Sequence, residues 1–181
     1  MRRTILSAAT LSVAALALTQ LAPANADGIG VSDPEDLAHG ADLRSVEVEH
    51  KARNVVITTT HTDLVESFRS GSSGAVFIDT DPADPGPEFV FLGGYFVGTD
   101  YNLVSTDGFA RSAVGEPVEG SYRMTVDYDR DQVRMRISRE ALGDPDEVRV
   151  AVRVAGTKPN GKNTKQDWLG APRSFTDWVA Q

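Results

Sequence analysis

From Tyr122 to Ser138 the chain places an apolar residue at nearly every second position. Tyr122, Met124, Val126 and Tyr128 alternate with Arg123, Thr125 and Asp127, and Val133, Met135 and Ile137 alternate with Arg134 and Arg136. A period of two gives an extended strand one dry face and one wet face, whereas a helix would scatter those residues around its circumference. With Arg130-Asp131 as a two-residue turn, Tyr128 faces Val133, Val126 faces Met135 and Met124 faces Ile137. That register sets Asp127 opposite Arg134 and Thr125 opposite Arg136. A slip by one residue would turn every apolar side chain to solvent, so the apolar face is strongly specified.

The same period recurs along the chain. Glu147 to Ala155 sends Val148, Val150, Val152 and Val154 to one side and Arg149 and Arg153 to the other. Val46, Val48 and His50 alternate with Glu47 and Glu49, and Asn54 to Thr62 is rich in β-branched residues. Short apolar runs follow at Ala75 to Asp79 and Glu88 to Phe96, parted by the Pro/Asp loop Thr80 to Pro87, with a further strand at Asp100 to Ser105. Helical character is confined to Ser138 to Leu142, with Ser138 as N-cap and Gly143 as stop. Asn160 to Lys165 reads as a mobile polar loop, and Phe175 to Val179 as a last docked strand or turn. Eight or nine short strands with one helical turn predict an all-β fold, an antiparallel, jelly-roll-like β-sandwich in a single domain over residues 27–181.

Residues 1–26 read as a secretory signal peptide. Arg2 and Arg3 form its positive start, Ile5 to Leu18 its uncharged apolar stretch, and Ala24-Asn25-Ala26 its small-x-small cleavage site. The apolar stretch is short for a membrane span, and no cysteine follows the site to take a lipid. Arg outnumbers Lys by 14 to 4, which fits a bacterial coding bias. The expectation is an exported, extracellular, monomeric protein that leaves the membrane on cleavage. The chain has no cysteine and a net charge of −8. Disulfide scaffolds, thiolate metal sites and cysteine nucleophiles are thereby excluded, and the acidic balance argues against nucleic acid as a partner.

Several short motifs stand in a recognisable order. Asp33-Pro34-Glu35-Asp36 and Asp42-Leu43-Arg44-Ser45-Val46 precede the Val/Thr strand, then come Phe77-Ile78-Asp79-Thr80-Asp81 and Gly86-Pro87-Glu88-Phe89. Over most of residues 33–154 this order resembles secreted β-sandwich domains of the DOMON and family-9 carbohydrate-binding-module type. The resemblance implies a sandwich that binds sugars or, in some branches, haem, and that in several members holds a structural calcium.

Candidate sites follow from the residues themselves. The loop holding Asp79, Asp81, Asp84 and Glu88 is dense in carboxylates and stiffened by three prolines. It is a candidate for a structural calcium ion, although it lacks the order of an EF-hand. Asp33, Asp36 and Asp42 form a second acidic group that could ligate an ion pinning the N-terminal segment to the sandwich. Trp168 and Trp178, beside Asp167 and Asp177, suit a glycan platform of aromatic ring and flanking carboxylate, although large aromatics near a terminus more often plug one end of a sandwich core. Tyr95 and Tyr101 are weaker candidates for the same role. Arg123, Arg134, Arg136, Arg149 and Arg153 all point outward, and would make one basic face if their strands were neighbours.

Catalysis has little support. His39, His50 and His61 are the only imidazoles, with His50 and His61 on strands that could be adjacent, and no serine-hydrolase elbow is present. Export, the strand pattern and the resemblance to DOMON and family-9 modules together make non-catalytic binding of a glycan or polysaccharide the expected function. Docking of another secreted protein, or a carboxylate-based extracellular hydrolase, are the alternatives.

Overall fold

The computed structural model describes residues 28–157 and 164–181. The expected signal segment, and residues 160–163 of the expected mobile loop, lie outside them. Twelve strands are described: β1 (Gly28–Ser32), β2 (Leu43–His50), β3 (Asn54–His61), β4 (Ser73–Asp79), β5 (Phe89–Gly94), β6 (Tyr101–Thr106), β7 (Val114–Pro117), β8 (Tyr122–Asp127), β9 (Gln132–Ser138), β10 (Glu147–Thr157), β11 (Thr164–Trp168) and β12 (Val179–Ala180). Every pairing is antiparallel. The first sheet runs β1-β2-β3-β9-β8 and the second β11-β10-β4-β5-β6-β7, with β12 also paired to β10. No helix among the described residues is long and apolar enough to cross a membrane.

The alternating pattern builds the core. Val46, Val48, Val55, Ile57, Val133, Met135 and Ile137 from the first sheet meet Val76, Ile78, Phe91, Leu103 and the four valines of β10 from the second. The expected helical turn forms as a single 3-10 turn, Glu140–Leu142, with Ser138 Oγ accepting from Ala141 N–H and Gly143 at φ 79° ending it. Gly74 is required on β4 because a Cβ there would collide with the buried Tyr95 hydroxyl.

The second sheet is buried on both faces over part of its width. Ala75, Phe77, Val90, Val104 and Ala151 lie on its outer side, under Leu92, Phe109, Trp168 and Phe175. This explains the near-continuous burial of β4, since a strand covered on both sides needs no polar face.

The β8–β9 hairpin differs from expectation by two residues. Val126 faces Val133, Met124 faces Met135 and Tyr122 faces Ile137, so the loop is Tyr128 to Asp131 rather than a two-residue turn. Asp127 Oδ1 accepts the N–H groups of Asp129 and Arg130, and Asp131 adopts φ 53°. An Asx turn closed by an αL aspartate makes a four-residue loop cheaper than a two-residue turn needing φ > 0 at an arginine. A shift of two preserves the faces but changes the partners. Arg136 now faces Arg123, and Arg134 faces Thr125.

Candidate functional site

Strand register lays out the outer face of the second sheet in rows. Trp168, Arg153, Ala75, Leu92 and Asn102 form one row across β11, β10, β4, β5 and β6. Gln166, Ala155, Ser73 and Gly94 form the next. The central positions are small and the outer ones are longer and polar, so the face is hollow along its middle. The resulting groove has a volume of about 520 Å³, with Ser73, Ala75 and Ala155 on its floor. Arg153 and Gln166 flank it on one side, and Leu92, Asp100 and Asn102 on the other. Alternation explains the location, because the inward partners of these residues are the core valines.

Two arginines of β10 share this outer face in contrasting states. Arg149 is neutralised, with Nε at 2.8 Å and Nη2 at 2.6 Å from Asp79 Oδ2, and its guanidinium lies 4.6 Å from the Phe175 ring and 4.5 Å from the Trp178 ring. Arg153 stands 5.6 Å from both the Phe77 and Trp168 rings, and it makes no ion pair among the described residues. Burial pushes its guanidinium below the usual range, so the group is partly stripped of water yet lacks an anion. An unneutralised, pre-positioned guanidinium at the edge of a polar groove can anchor a hydroxyl-rich or carboxylate-bearing ligand.

The aromatic candidates separate. Trp168 is half-buried at the end of the groove's row, stacked on Phe77 (5.9 Å, 14°) and met edge-on by Phe109. It braces Arg153 rather than lining the groove. Trp178 is likewise half-buried against Arg149. Tyr95 is only 1% exposed, which removes it from any ligand surface. Tyr101 turns its ring inward to Phe91 and Tyr122, so only its position on β6 borders the groove. Asp167, next to Trp168 but one step along the strand, points to the opposite side and is buried. The residues that line the groove, Arg153, Gln166, Asn102 and Asp100, carry weak sequence signals. Only the outward period of β10 pointed to one of them, Arg153.

The expected calcium loop uses its acids internally. Asp79 is wholly buried on Arg149, Glu88 Oε2 accepts from Thr80 N–H and Oγ1, and Asp81 Oδ1 accepts from Ala83 N–H. The loop therefore satisfies its own turns, and does not gather Asp79, Asp81, Asp84 and Glu88 around one point. Another acidic group does converge. Asp36, Asp42 and Asp167 each place an oxygen within 4.8 Å of the others, and they are the one such group of three among the described residues. Asp33 lies beside them, 7% exposed, with Oδ1 accepting from Gly170 N–H at 2.6 Å and Oδ2 buried without a partner. Asp42 holds the chain's approach to β2 by accepting from the N–H groups of Asp36 and Leu37 and from Thr62 Oγ1, and Asp167 accepts from Leu43 N–H at 2.9 Å. Burial, followed by the charges of Asp33 and Asp36, pushes Asp167 up to about 6.

Other candidate groupings come apart. His50 pairs with Val55 and His61 with Leu43, so the two imidazoles sit at opposite ends of the β2–β3 pair and cannot share a metal. Arg149 and Arg153 belong to the second sheet, while Arg123, Arg134 and Arg136 belong to the first, so no single basic face exists. On the first sheet those three line a shallow depression with Thr125. No protein-family model matches the chain, and a search of curated proteins finds no similar sequence.

Proposed function

We propose that this protein is a non-catalytic, exported binding module whose groove on the outer face of the second sheet holds a glycan chain. The observation that carries the reading is Arg153, which makes no ion pair among the described residues and whose guanidinium stands 5.6 Å from both the stacked Phe77 and Trp168 rings, beside a groove with Gln166, Asn102 and Asp100 along its sides. Amide, carboxylate and guanidinium groups around a floor of small residues complement a chain rich in hydroxyls. Among the described residues Asp100 is the one carboxylate lining the groove, whereas glycoside cleavage generally needs two facing acids, and this favours retention over hydrolysis. The groove supports the reading independently of the resemblance to DOMON and family-9 binding modules.

The test is retention of the purified protein on a panel of neutral and acidic polysaccharides. Removing a charged hydrogen-bond partner costs ~1.5–3 kcal/mol, so Arg153→Ala should weaken retention roughly ten- to hundredfold. Asn102→Ala, at an exposed position, should weaken it less and leave the melting temperature unchanged. Absence of retention on every polysaccharide, or retention indifferent to both substitutions, refutes the assignment. A second reading, docking of another secreted protein, rests on a separate exposed apolar area. Phe68 is 69% exposed and Val97 64%, and their segments are joined by the Val97 N–H bond to the Glu66 carbonyl. Under that reading Phe68→Ser abolishes capture of the partner and spares the groove.

A further inference from the structure

We infer that the outer face of the first sheet docks on the same face of a second copy of this chain, across a two-fold axis running along β3. Strand register lays that face out in rows across β1, β2, β3, β9 and β8. One row reads Gly28, Glu49, Val56, Arg136 and Arg123. The next reads Gly30, Glu47, Thr58, Arg134 and Thr125. The face is therefore acidic on one side of β3 and basic on the other. Strands lie ~4.8 Å apart, so β3 keeps the two sets of charges roughly 10 Å from each other. No ion pair crosses it among the described residues. Glu47, Arg123, Arg134 and Arg136 make none there, and Glu49 makes one, an exposed pair with Lys51 at 2.7 Å.

Symmetry selects the partner that suits such a face. A two-fold axis parallel to β3 turns a second copy face to face, keeps each row at its own level along the strands and exchanges the acidic side for the basic one. Two twisted sheets stack in this way with their strands within about 30° of each other. β9 of one copy then lies over β2 of the other, and β8 over β1. Arg136 meets Glu49 and Arg134 meets Glu47, each pair formed twice, while Val56 and Thr58 meet their own counterparts on the axis. An axis perpendicular to the strands would set arginine on arginine. Bulk matches as well as charge. Gly28 and Gly30 face outward on β1 and leave room for the long Arg123 side chain of the facing β8. The three arginines and Thr125 line a depression of about 240 Å³, open to the arriving carboxylates. The face spans roughly 24 by 20 Å, so two copies bury about 1,000 Å² together, at the small end of specific interfaces. The dimer is therefore weak, and its charge pairs make it sensitive to salt. The groove of the second sheet lies on the opposite side of the sandwich and stays open in both copies. The dimer stands whether or not that groove binds a glycan.

The experiment is sedimentation equilibrium of the purified protein over a concentration series, in about 0.1 M and about 1 M salt. The lower salt screens the chain's net charge of −8 beyond roughly 10 Å and spares pairs in contact. A monomer–dimer equilibrium is expected there, with a Kd at least about tenfold higher in the stronger salt. Glu47→Lys/Glu49→Lys makes the face wholly basic, and Arg134→Glu/Arg136→Glu makes it wholly acidic. Each variant alone should sediment as a monomer, and an equimolar mixture of the two should dimerise at least as tightly as the parent. All four positions lie on the solvent side of their strands, so the melting temperatures should stay close to the parent's. Where a double variant does not fold, Glu47→Lys and Arg134→Glu, alone and mixed, give the same reading. The inference is overturned if the parent stays monomeric up to about 0.5 mM, which places any dimer in the millimolar range. It is equally overturned if either variant alone dimerises as the parent does, or if the mixture does not pair.

Discussion

Arg149→Met tests whether the outer layer of the second sheet rests on one buried ion pair. Asp79 is fully buried, and both guanidinium contacts fall on its Oδ2, while Oδ1 accepts only a longer 3.3 Å bond from Asp81 N–H. Methionine can lie along the Phe175 and Trp178 rings, but it leaves the carboxylate without its counter-charge. Removing one partner of a buried pair costs about 3–5 kcal/mol. The Arg149 side chain is 27% exposed, which argues for the lower end, near ~3 kcal/mol. Losing cation–π contact with two rings adds ~1 kcal/mol. At ~2–4 °C per kcal/mol for a chain of this length, the melting temperature should fall by roughly 8–16 °C. The double variant Arg149→Met/Asp79→Leu replaces the pair with apolar groups and should return to within about 1 kcal/mol of the parent. Urea unfolding of the four proteins gives the cycle, with an expected coupling of at least ~2 kcal/mol. A loss below ~1 kcal/mol in Arg149→Met, or a double variant no more stable than the sum of the singles, would refute this account.

Acid should act through His61. Its Nδ1–H donates to the Ala41 carbonyl at 2.9 Å and its Nε2 lies 2.8 Å from Thr59 Oγ1, and burial lowers it to about 4. The unfolded chain takes up this proton near pH 6.5 and the folded chain only near 4, so stability present above pH 6.5 is lost as the pH falls through that window. The loss amounts to about 3 kcal/mol. The raised carboxyl groups of Asp33 and Asp167 have the opposite sign, so the effect should be read as the difference in urea midpoint between the parent and His61→Gln. A difference that stays flat from pH 7 to 4 would show His61 to be charged in the fold. On the first sheet, Arg123 faces Arg136 directly, and like charges at paired positions are unfavourable by ~0.2–1 kcal/mol. Arg123→Thr should therefore raise stability by about 0.5 kcal/mol at low salt, with the gain shrinking in 1 M salt; a destabilised variant would contradict the assigned register.

The hairpin, the sites and the missed strands show where sequence reading stops, each for its own physical reason. Alternation fixes which face of a strand is dry, and β8, β9 and β10 carry that information in full. It fixes the partner only modulo two, so Tyr122 to Ser138 could be read with the right faces and the wrong opposites. The Asx turn at Asp127 and the αL Asp131 decided the register, and with it deprived Arg134 of an acid across the strand and set Arg136 opposite Arg123. The strands that escaped notice, β1, β7 and β11, are edges or near-edges with glycine, proline or charged residues, because a strand facing solvent has no need of an apolar period. Thr164 and Lys165, expected in a loop, open β11 for that reason. Function follows the same logic at longer range. Asp33, Asp36 and Asp42 announce themselves by proximity in the chain, but Asp167 joins them only because β11 folds back beside the start of β2. Arg153 was legible as an outward residue, yet what distinguishes it from Arg149 is that Asp79 stands opposite one and Ala75 opposite the other. A cross-strand neighbour, not a motif, separates an arginine neutralised by a buried carboxylate from one that makes no ion pair among the described residues.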